Sequence, residues 1–465
     1  MTDTVSTAPP HVEPTAPETT AAPALVTRPG RWIDNWNPED DVQWEAGGKS
    51  IARRNLRWSI FAEFLGFVVW QLWSIVAVTL PTAGFDLGTG EIFWLISIPS
   101  LVGATLRIPY SFLVPKFGGR NWTIISAALL LAPAIMLALV VQNPETPFGV
   151  LLFTAALAGF GGGNFASSMS NITYFYPQRE KGWALGLNAA GGNLGASVAQ
   201  FVVPIVIAIG AGAALNLPLA GWVWVPLILV AMWGAFRYMD NLSNAKADFA
   251  GSAAALKEPH LWIMSVLYIG TSGSFIGFAS VFPKLIADQF PDFSTIQVGS
   301  ASVGLAFLGA LVGSLARPYG GRLSDRFGGA RITMVAFAAM GTITLAVVLT
   351  LPVANFWLFL GLFLLLFASA GIGNGSTYRM VPIVFALRAS GDETARKRKA
   401  AAALGLISAI GAYGGFLIPQ ALNLSFQATG AYAGAFIGFV AGYAALLVLT
   451  YVVYVRSARL REHKI

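Results

Sequence analysis

The chain has 465 residues, 55% of them hydrophobic and 11% charged, with a mean hydropathy of +0.65. Soluble domains devote roughly a quarter of their residues to charge, so this composition excludes an ordinary soluble protein and points to an integral membrane one whose surroundings are the lipid bilayer. A formal net charge of +7 would suggest nucleic acid as partner in a soluble chain, but here the basic residues cluster at alternate connections between apolar stretches, and no nucleic-acid partner is expected.

In chain order, residues 1 to about 30 are rich in Pro, Thr and Ala without an apolar core, and are predicted to form a disordered tail. Arg31 to Glu45 mixes Trp32, Trp36 and Trp44 with Asp34, Glu39, Asp40 and Asp41, which predicts a segment lying at the membrane surface before the first span. Apolar stretches long enough to cross a hydrocarbon core of ~30 Å then begin near Trp58, Glu91, Trp122, Gly149, Gly182, Gly221, Leu261, Val298, Arg331, Asn355, Ala400 and Tyr432. The prediction is an all-α membrane protein of twelve spans. It divides into a tail over 1–50, a six-helix bundle over 51–240, a linker over 241–260, a second bundle over 261–455 and a tail over 456–465.

The charges orient these spans. Arg53, Arg54 and Arg57 precede span 1; Lys116 and Arg120 separate spans 2 and 3; Arg179 and Lys181 separate spans 4 and 5; Arg237, Lys246 and Lys257 lie between 6 and 7. Arg322, Arg326 and Arg331 follow span 8, Arg396 to Lys399 precede span 11, and Arg456, Arg459, Arg461 and Lys464 close the chain. The intervening connections are nearly free of Lys and Arg, so the positive-inside rule places both termini in the cytoplasm, in a multi-pass cytoplasmic (inner) membrane protein. There is no cysteine, and the three histidines, His11, His260 and His463, are far apart in sequence. No metal site, cofactor or catalytic triad is expected, and the chain does not read as an enzyme.

The chain repeats itself. Arg107 lies ten residues before Phe117-Gly118-Gly119, and Arg317 ten residues before Phe327-Gly328-Gly329. Gly159, Gly161 and Gly163 answer to Gly371, Gly373 and Gly375, and Ala184-Leu185-Gly186-Leu187 returns as Ala403-Leu404-Gly405-Leu406. Gly192 and Gly195 find counterparts in Gly411 and Gly414. Two units with an even number of spans enter the membrane in the same sense, as parallel repeats about an axis along the membrane normal.

Ten helical residues rise about 15 Å, so if the Phe-Gly-Gly turns mark the membrane surface, both arginines sit near mid-depth, facing each other across the pseudo-axis. An intramembrane charge of this kind is by default functional, although snorkelling or pairing with a buried acid is the plainer alternative. The nearest acids along their own helices, Glu91 and Asp325, stand at the span ends. Two permanently charged planar forks of donors suit a small oxyanion. Pro109 and Pro318 follow closely and should bend those helices. The glycine-rich segments, with Gly163, Gly186, Gly192, Gly195, Gly373, Gly375, Gly405 and Gly411 foremost, read as close helix packing where two halves can slide. Among them stand Asn164, Ser167, Ser168, Asn171, Asn188 and Asn193, and in the second half Asn374, Ser376, Thr377 and Ser408, buried polar groups in need of partners.

Several motifs carry a resemblance. The loop Gly320-Gly321-Arg322-Leu323-Ser324-Asp325-Arg326-Phe327-Gly328-Gly329 resembles the loop motif of the major facilitator superfamily; in its first-half counterpart Pro115 occupies the aspartate position. Gly159 to Met169, continuing through Asn171, Phe175, Pro177 and Lys181 to Asn188 and Gly192-Asn193-Leu194-Gly195, is similar to the first nitrate motif of the NarK-type nitrate/nitrite porters. Gly371 to Thr377, then Ala401 to Gly405 and Ser408 to Pro419, is similar to the second, over a resemblance that spans about residues 32 to 455.

The resemblance implies a transporter of nitrate and nitrite that works by alternating access; a functional monomer is expected. In it Arg107 and Arg317 would clamp the anion, Asn193 and Tyr268 would donate hydrogen bonds, and Phe67 and Phe165 would sandwich the anion's plane. The aromatic expected four residues after Tyr268 is Ser272 in this chain. Arginine stays protonated, so an empty site would hold two uncompensated positive charges, which favours exchange of nitrate for nitrite. Glu63, one turn before Phe67, offers the alternative of proton-coupled uptake; otherwise it would serve as a partner for Arg57 or a nearby loop.

Overall fold

The computed structural model describes residues 25–209, 215–245, 253–292, 295–298, 301–388 and 393–456. The tail over 1–24, His11, Lys246, His463 and the basic residues beyond Arg456 lie outside the described residues, as do the side chains of Arg396 to Lys399. Eleven of the described helices are long and apolar enough to cross a membrane. They are α1 (Asp41–Thr79), α2 (Thr89–Phe117), α3 (Gly119–Val140), α4 (Phe148–Phe175), α5 (Gln178–Ile207), α6 (Leu219–Tyr238), α7 (Pro259–Gln289), α9 (Gly329–Val353), α10 (Phe356–Phe385), α11 (Ala402–Thr429) and α12 (Ala433–Val455). Between α7 and α9 runs α8 (Phe307–Phe327), the twelfth. It is less apolar because Arg317, Arg322, Asp325 and Arg326 share its length with four glycines. The architecture is that of two parallel six-helix repeats.

The repeat is visible in the backbone. Gly118 and Gly328 end α2 and α8 at φ 88°, ψ 147° and φ 94°, ψ 136°. This region of conformational space is open in practice to glycine alone, so the same residue turns the chain sharply into α3 and α9. The helix α2 continues through Pro109 and Pro115 without interruption. By contrast α7 is interrupted by a wider turn at Ile269–Gly273, one residue after Tyr268.

One expectation is corrected. The stretch expected to open span 8 near Val298 instead forms an antiparallel hairpin of β4 (Thr295–Val298) and β5 (Ala301–Gly304), and the helix begins at Phe307. Thr295, Ile296, Val298 and Val303 are β-branched, and such residues favour extended backbone over helix. The segment before α1 folds back onto the first half. The short strands β1 (Thr27–Arg28) and β2 (Trp32–Ile33) pair with β3 (Asn241–Leu242), just after α6. Trp36 and Trp44 are buried, with their indole N–H groups donating to the Tyr174 carbonyl at 3.1 Å and to Glu180 at 3.3 Å. Asp240 receives Arg31 at 2.7 Å, Arg54 at 2.8 Å and Asn55 at 2.8 Å, so this end of the first half is tied together by side chains from opposite ends of its sequence.

Candidate functional site

Arg107 and Arg317 are both buried, at 2% and 9% exposure, and both guanidiniums lie against one ring, Phe165 of α4, with centroid distances of 4.5 and 5.8 Å. The structure thus brings together the two symmetry-related charges that the sequence placed 210 residues apart. Their surroundings differ. Arg107 donates through Nε to the Gly162 carbonyl at 3.2 Å, and through Nη1 to the carbonyl and hydroxyl oxygens of Ser408 at 3.0 and 3.2 Å. It also lies 5.3 Å from the Trp70 ring. Arg317 has no hydrogen-bond partner among the described residues and lies 5.5 Å from the ring of Tyr378. Each ring face offers negative quadrupole to a cation, which leaves the forked donors of Arg317 available to an anion.

Phe67 and Phe165 stand edge to face, 6.1 Å apart with 73° between their planes. In this conformation they do not form the two parallel walls of a sandwich; Phe165 is the floor under both arginines. Tyr268 is buried beside Tyr378, 6.1 Å between centroids. Tyr378 brings an aromatic face to Arg317 in a chain that carries Ser272 on α7. Asn193 is buried and has no hydrogen-bond partner among the described residues, and both polar atoms of the Asn164 amide are buried without one.

Asn188, like Asn164 a candidate anion-binding residue from its place in the first glycine-rich motif, has its Oδ1 buried without a hydrogen-bond partner. Its amide donates to Glu63 at 2.5 Å and to the Ser168 hydroxyl at 2.7 Å, so it is committed to a carboxylate of the protein. Glu63 is wholly buried; it also accepts from the Ser168 hydroxyl, and its Oε1 has no hydrogen-bond partner. It does not pair with Arg57 but lies within electrostatic reach of both Arg107 and Arg317, which corrects the picture of two arginines without an acid. Arg379 lies away from this centre and pairs with Asp325 at 2.6 Å.

The glycines explain how the backbones come so close. A Cβ on Gly163 would meet the Tyr110 ring at 2.7 Å, one on Gly192 the Glu63 side chain (Cγ at 2.7 Å), one on Gly195 Phe67 Cβ at 2.9 Å, and one on Gly373 Thr271 at 2.8 Å. Gly375 lies against the Arg317 carbonyl and Gly411 against the Tyr268 ring. Gly186 and Gly405 depart from the expectation, because nothing lies within 4 Å of a Cβ there. The close cross-half bonds lie at the arginines and beyond them: Thr105 to Tyr413 at 2.9 Å, Gln420 to Ser97 at 2.7 Å and Gln200 to the Ala279 carbonyl at 2.7 Å. The seam between the halves is closed on the side opposite the termini.

Tyr378, Trp70 and Gly162 escaped the sequence reading. Tyr378 follows Thr377 directly in the second glycine-rich segment, a signal that could have found it; Trp70 and the Gly162 carbonyl become neighbours of Arg107 only through packing.

Comparison with known proteins agrees with this arrangement. The profile of the Major Facilitator Superfamily matches residues 63–419. The nitrate/nitrite transporter NarU of Salmonella typhimurium is 45% identical over 451 residues, covering 91% of this chain and 96% of the relative. A probable nitrate/nitrite antiporter of Thermus thermophilus is 37% identical over 455 residues, covering 93% and 98%. Among solved structures, the nucleoside transporter NupG superposes with a TM-score of 0.61 at 11% identity, covering 86% of this chain and 99% of that one. A bacterial homologue of the lysosomal transporter Spinster gives 0.58 at 17% identity, covering 85% and 94%; both likenesses concern the fold.

Proposed function

From the premise that this chain belongs to the Major Facilitator Superfamily and, within it, to the NarK-type nitrate/nitrite porters, membrane transporters of nitrate and nitrite, we propose that it works by exchange, one anion entering as the other leaves. The observation that carries this reading is the pair of buried guanidiniums over Phe165. Arginine is a permanent cation in proteins, and a single carboxylate, Glu63, offsets at most one charge of the two. Closing the site without an anion therefore encloses net positive charge in a poorly hydrated space, which is unfavourable. A bound nitrate or nitrite removes that penalty in either direction of travel, so the loaded carrier crosses and the empty one does not.

In this reading Arg317 and Arg107 grip the planar oxyanion, and Asn193 and Tyr268 donate to it. Asn164, packed against Gly66 of α1 with its amide unpaired, is a further donor for an anion that reaches it. Phe165 and Phe67 line the site. Arg107 also links the site to the seam through Ser408 of the second half. The working unit in this reading is a monomer, with its termini in the cytoplasm and the closed seam facing outward in the inner membrane.

A second reading, nitrate uptake with a proton, is favoured by one observation: Glu63 is buried beside Ser168 and Asn188 with one carboxylate oxygen unpaired. The experiment is nitrate flux into proteoliposomes that are empty or preloaded with nitrite, with and without a pH gradient, for the parent and Glu63→Gln. Exchange predicts uptake only into nitrite-loaded vesicles, insensitive to the gradient and retained in Glu63→Gln. Net uptake by empty vesicles, driven by the gradient and lost in Glu63→Gln, would sink exchange in favour of the proton.

A further inference from the structure

From Lys49 to Arg57, α1 carries a basic face that takes no part in the arginine site. Lys49, Arg53 and Arg57 stand four residues apart and so share one line along the helix. Like charges at that spacing repel one another and weaken a helix. With Arg54, Ser50 and Glu45 they line most of a cavity of about 390 Å³. Neighbouring cations are neutralised by carboxylates: Arg28 by Asp34, Arg31 and Arg54 by Asp240, and Arg179 by Asp41. Lys49 stands 3.8 Å from Glu180. Arg53 and Arg57 are exposed, and neither has a carboxylate partner among the described residues.

The surroundings of this face are apolar. Trp58 stacks on Tyr238 of α6 with 5.5 Å between centroids, and Trp233 meets it edge to face at 6.4 Å. Leu229, Trp233 and Phe236 give α6 an exposed face of large apolar side chains, which on a spanning helix is turned to lipid. On the other side, Ile60, one turn beyond Arg57, packs against Gly191 of α5. The basic face therefore opens outward between α5 and α6, level with tryptophan and tyrosine rings of the kind that gather where hydrocarbon meets headgroups. A soluble anion has no use for an apolar wall beside its site; a lipid uses both, with phosphate on the cations and acyl chains on α6. Arginine forks match phosphate oxygens, and basic residues next to a span attract anionic lipid. We propose that Arg53 and Arg57, flanked by Lys49 and Arg54, bind the phosphate of an anionic lipid headgroup. The bound phosphate offsets the repulsion along α1, and the acyl chains cover the exposed side chains of α6.

The full chain in detergent is titrated with phosphatidylglycerol or with zwitterionic phosphatidylcholine of the same acyl chains, and bound lipid is counted by native mass spectrometry. Nitrate and nitrite are absent, so failure here leaves the exchange reading untouched. Phosphatidylglycerol should bind the parent about tenfold more tightly than phosphatidylcholine. Arg53→Gln combined with Arg57→Gln should weaken that binding about thirtyfold, and Arg57→Gln alone about fivefold. Arg322→Gln combined with Arg326→Gln removes an equally spaced pair near the end of α8 and should stay within about twofold. Thermal midpoints give a second readout. Phosphatidylglycerol should raise the midpoint of the parent and not that of the Arg53→Gln, Arg57→Gln chain, which without lipid should be no less stable than the parent, because removing like charges removes repulsion. Equal binding of the two lipids, an equal loss in the α8 pair, or an equal rise of the parent's midpoint with inorganic phosphate alone overturns the proposal. Arg57 is exposed, and Arg57→Gln decides the matter even if the double variant does not fold.

Discussion

Gly192 of the first half and Gly411 of the second occupy matching positions 219 residues apart, and each makes room for a residue of the facing span, Gly192 for Glu63 and Gly411 for Tyr268. On the first wall the cradled residue is a carboxylate held by Ser168 and Asn188. On the second it is a phenol beside another phenol, Tyr378. The arginines divide in the same way: Arg107 is bonded to Gly162 and across the seam to Ser408, whereas Arg317 is flanked by rings. Duplication fixed where a side chain faces the centre, and the choice of side chain then gave one wall charge and hydrogen bonds and the other aromatic surface. A symmetric backbone therefore holds an asymmetric site, in which Arg317 has its donors free and Arg107 joins anion binding to the closure of the seam.

The largest effect expected is loss of a guanidinium. Arg107→Lys and Arg317→Lys keep the charge but lose the fork of donors, and charge-assisted bonds of about 1.5–3 kcal/mol each make a fall in nitrite-driven nitrate flux of about 100-fold reasonable for either, with membrane content unchanged. The two should differ in kind. Arg317→Lys should weaken binding, whereas Arg107→Lys should also loosen the seam, read as faster reaction of Ser97→Cys, buried in the seam, with a membrane-impermeant thiol reagent; identical behaviour would break the comparison.

Next come the cradles. Overpacking costs about 1–3 kcal/mol, and the stiff ring of Tyr268 has less freedom to yield than the Glu63 side chain. Gly411→Ala should therefore reduce flux about tenfold and Gly192→Ala about threefold. The reverse order would show that the carboxylate is the more tightly placed of the two.

Asn188→Leu removes a donor from the buried Glu63 and should lower stability by about 1–3 kcal/mol, seen as a drop in the thermal midpoint. Adding Glu63→Gln should return part of that loss, because a neutral amide needs the missing donor less. Additive losses would mean that Asn188 does not hold Glu63.

The smallest effect belongs to Tyr378. Tyr378→Phe keeps the ring over Arg317 and should change nitrate affinity by less than about twofold. Tyr378→Leu forfeits a cation–π contact of about 0.5–1 kcal/mol, or about two- to fivefold in affinity by titration. A larger loss in Tyr378→Phe would assign a role to the hydroxyl.

The spans, the duplication and the paired arginines were legible because each is written along the chain: hydrophobic runs at helical length, a fixed offset, and a charge where charge is costly. The motif glycines were legible as close packing, yet Gly186 and Gly405 have no close neighbour, since packing depends on which side of the seam is shut. The start of α8 was misplaced because a short apolar run gives little to distinguish strand from helix. That Trp36 and Trp44 pack against α4 and α5 was not legible, because composition does not show which residues a folded-back segment meets.

The sequence by itself therefore determined a twelve-helix protein of two parallel repeats with two arginines at matching depth, because hydrophobic length and the cost of intramembrane charge act locally on each helix. Tertiary structure alone decided what those arginines and Glu63 meet. Ser168 and Asn188 lie 105 and 125 residues from Glu63, and Ser408 lies 301 from Arg107. Such distances along the chain carry no pairing signal, and only the packing of two bundles across a seam closes them.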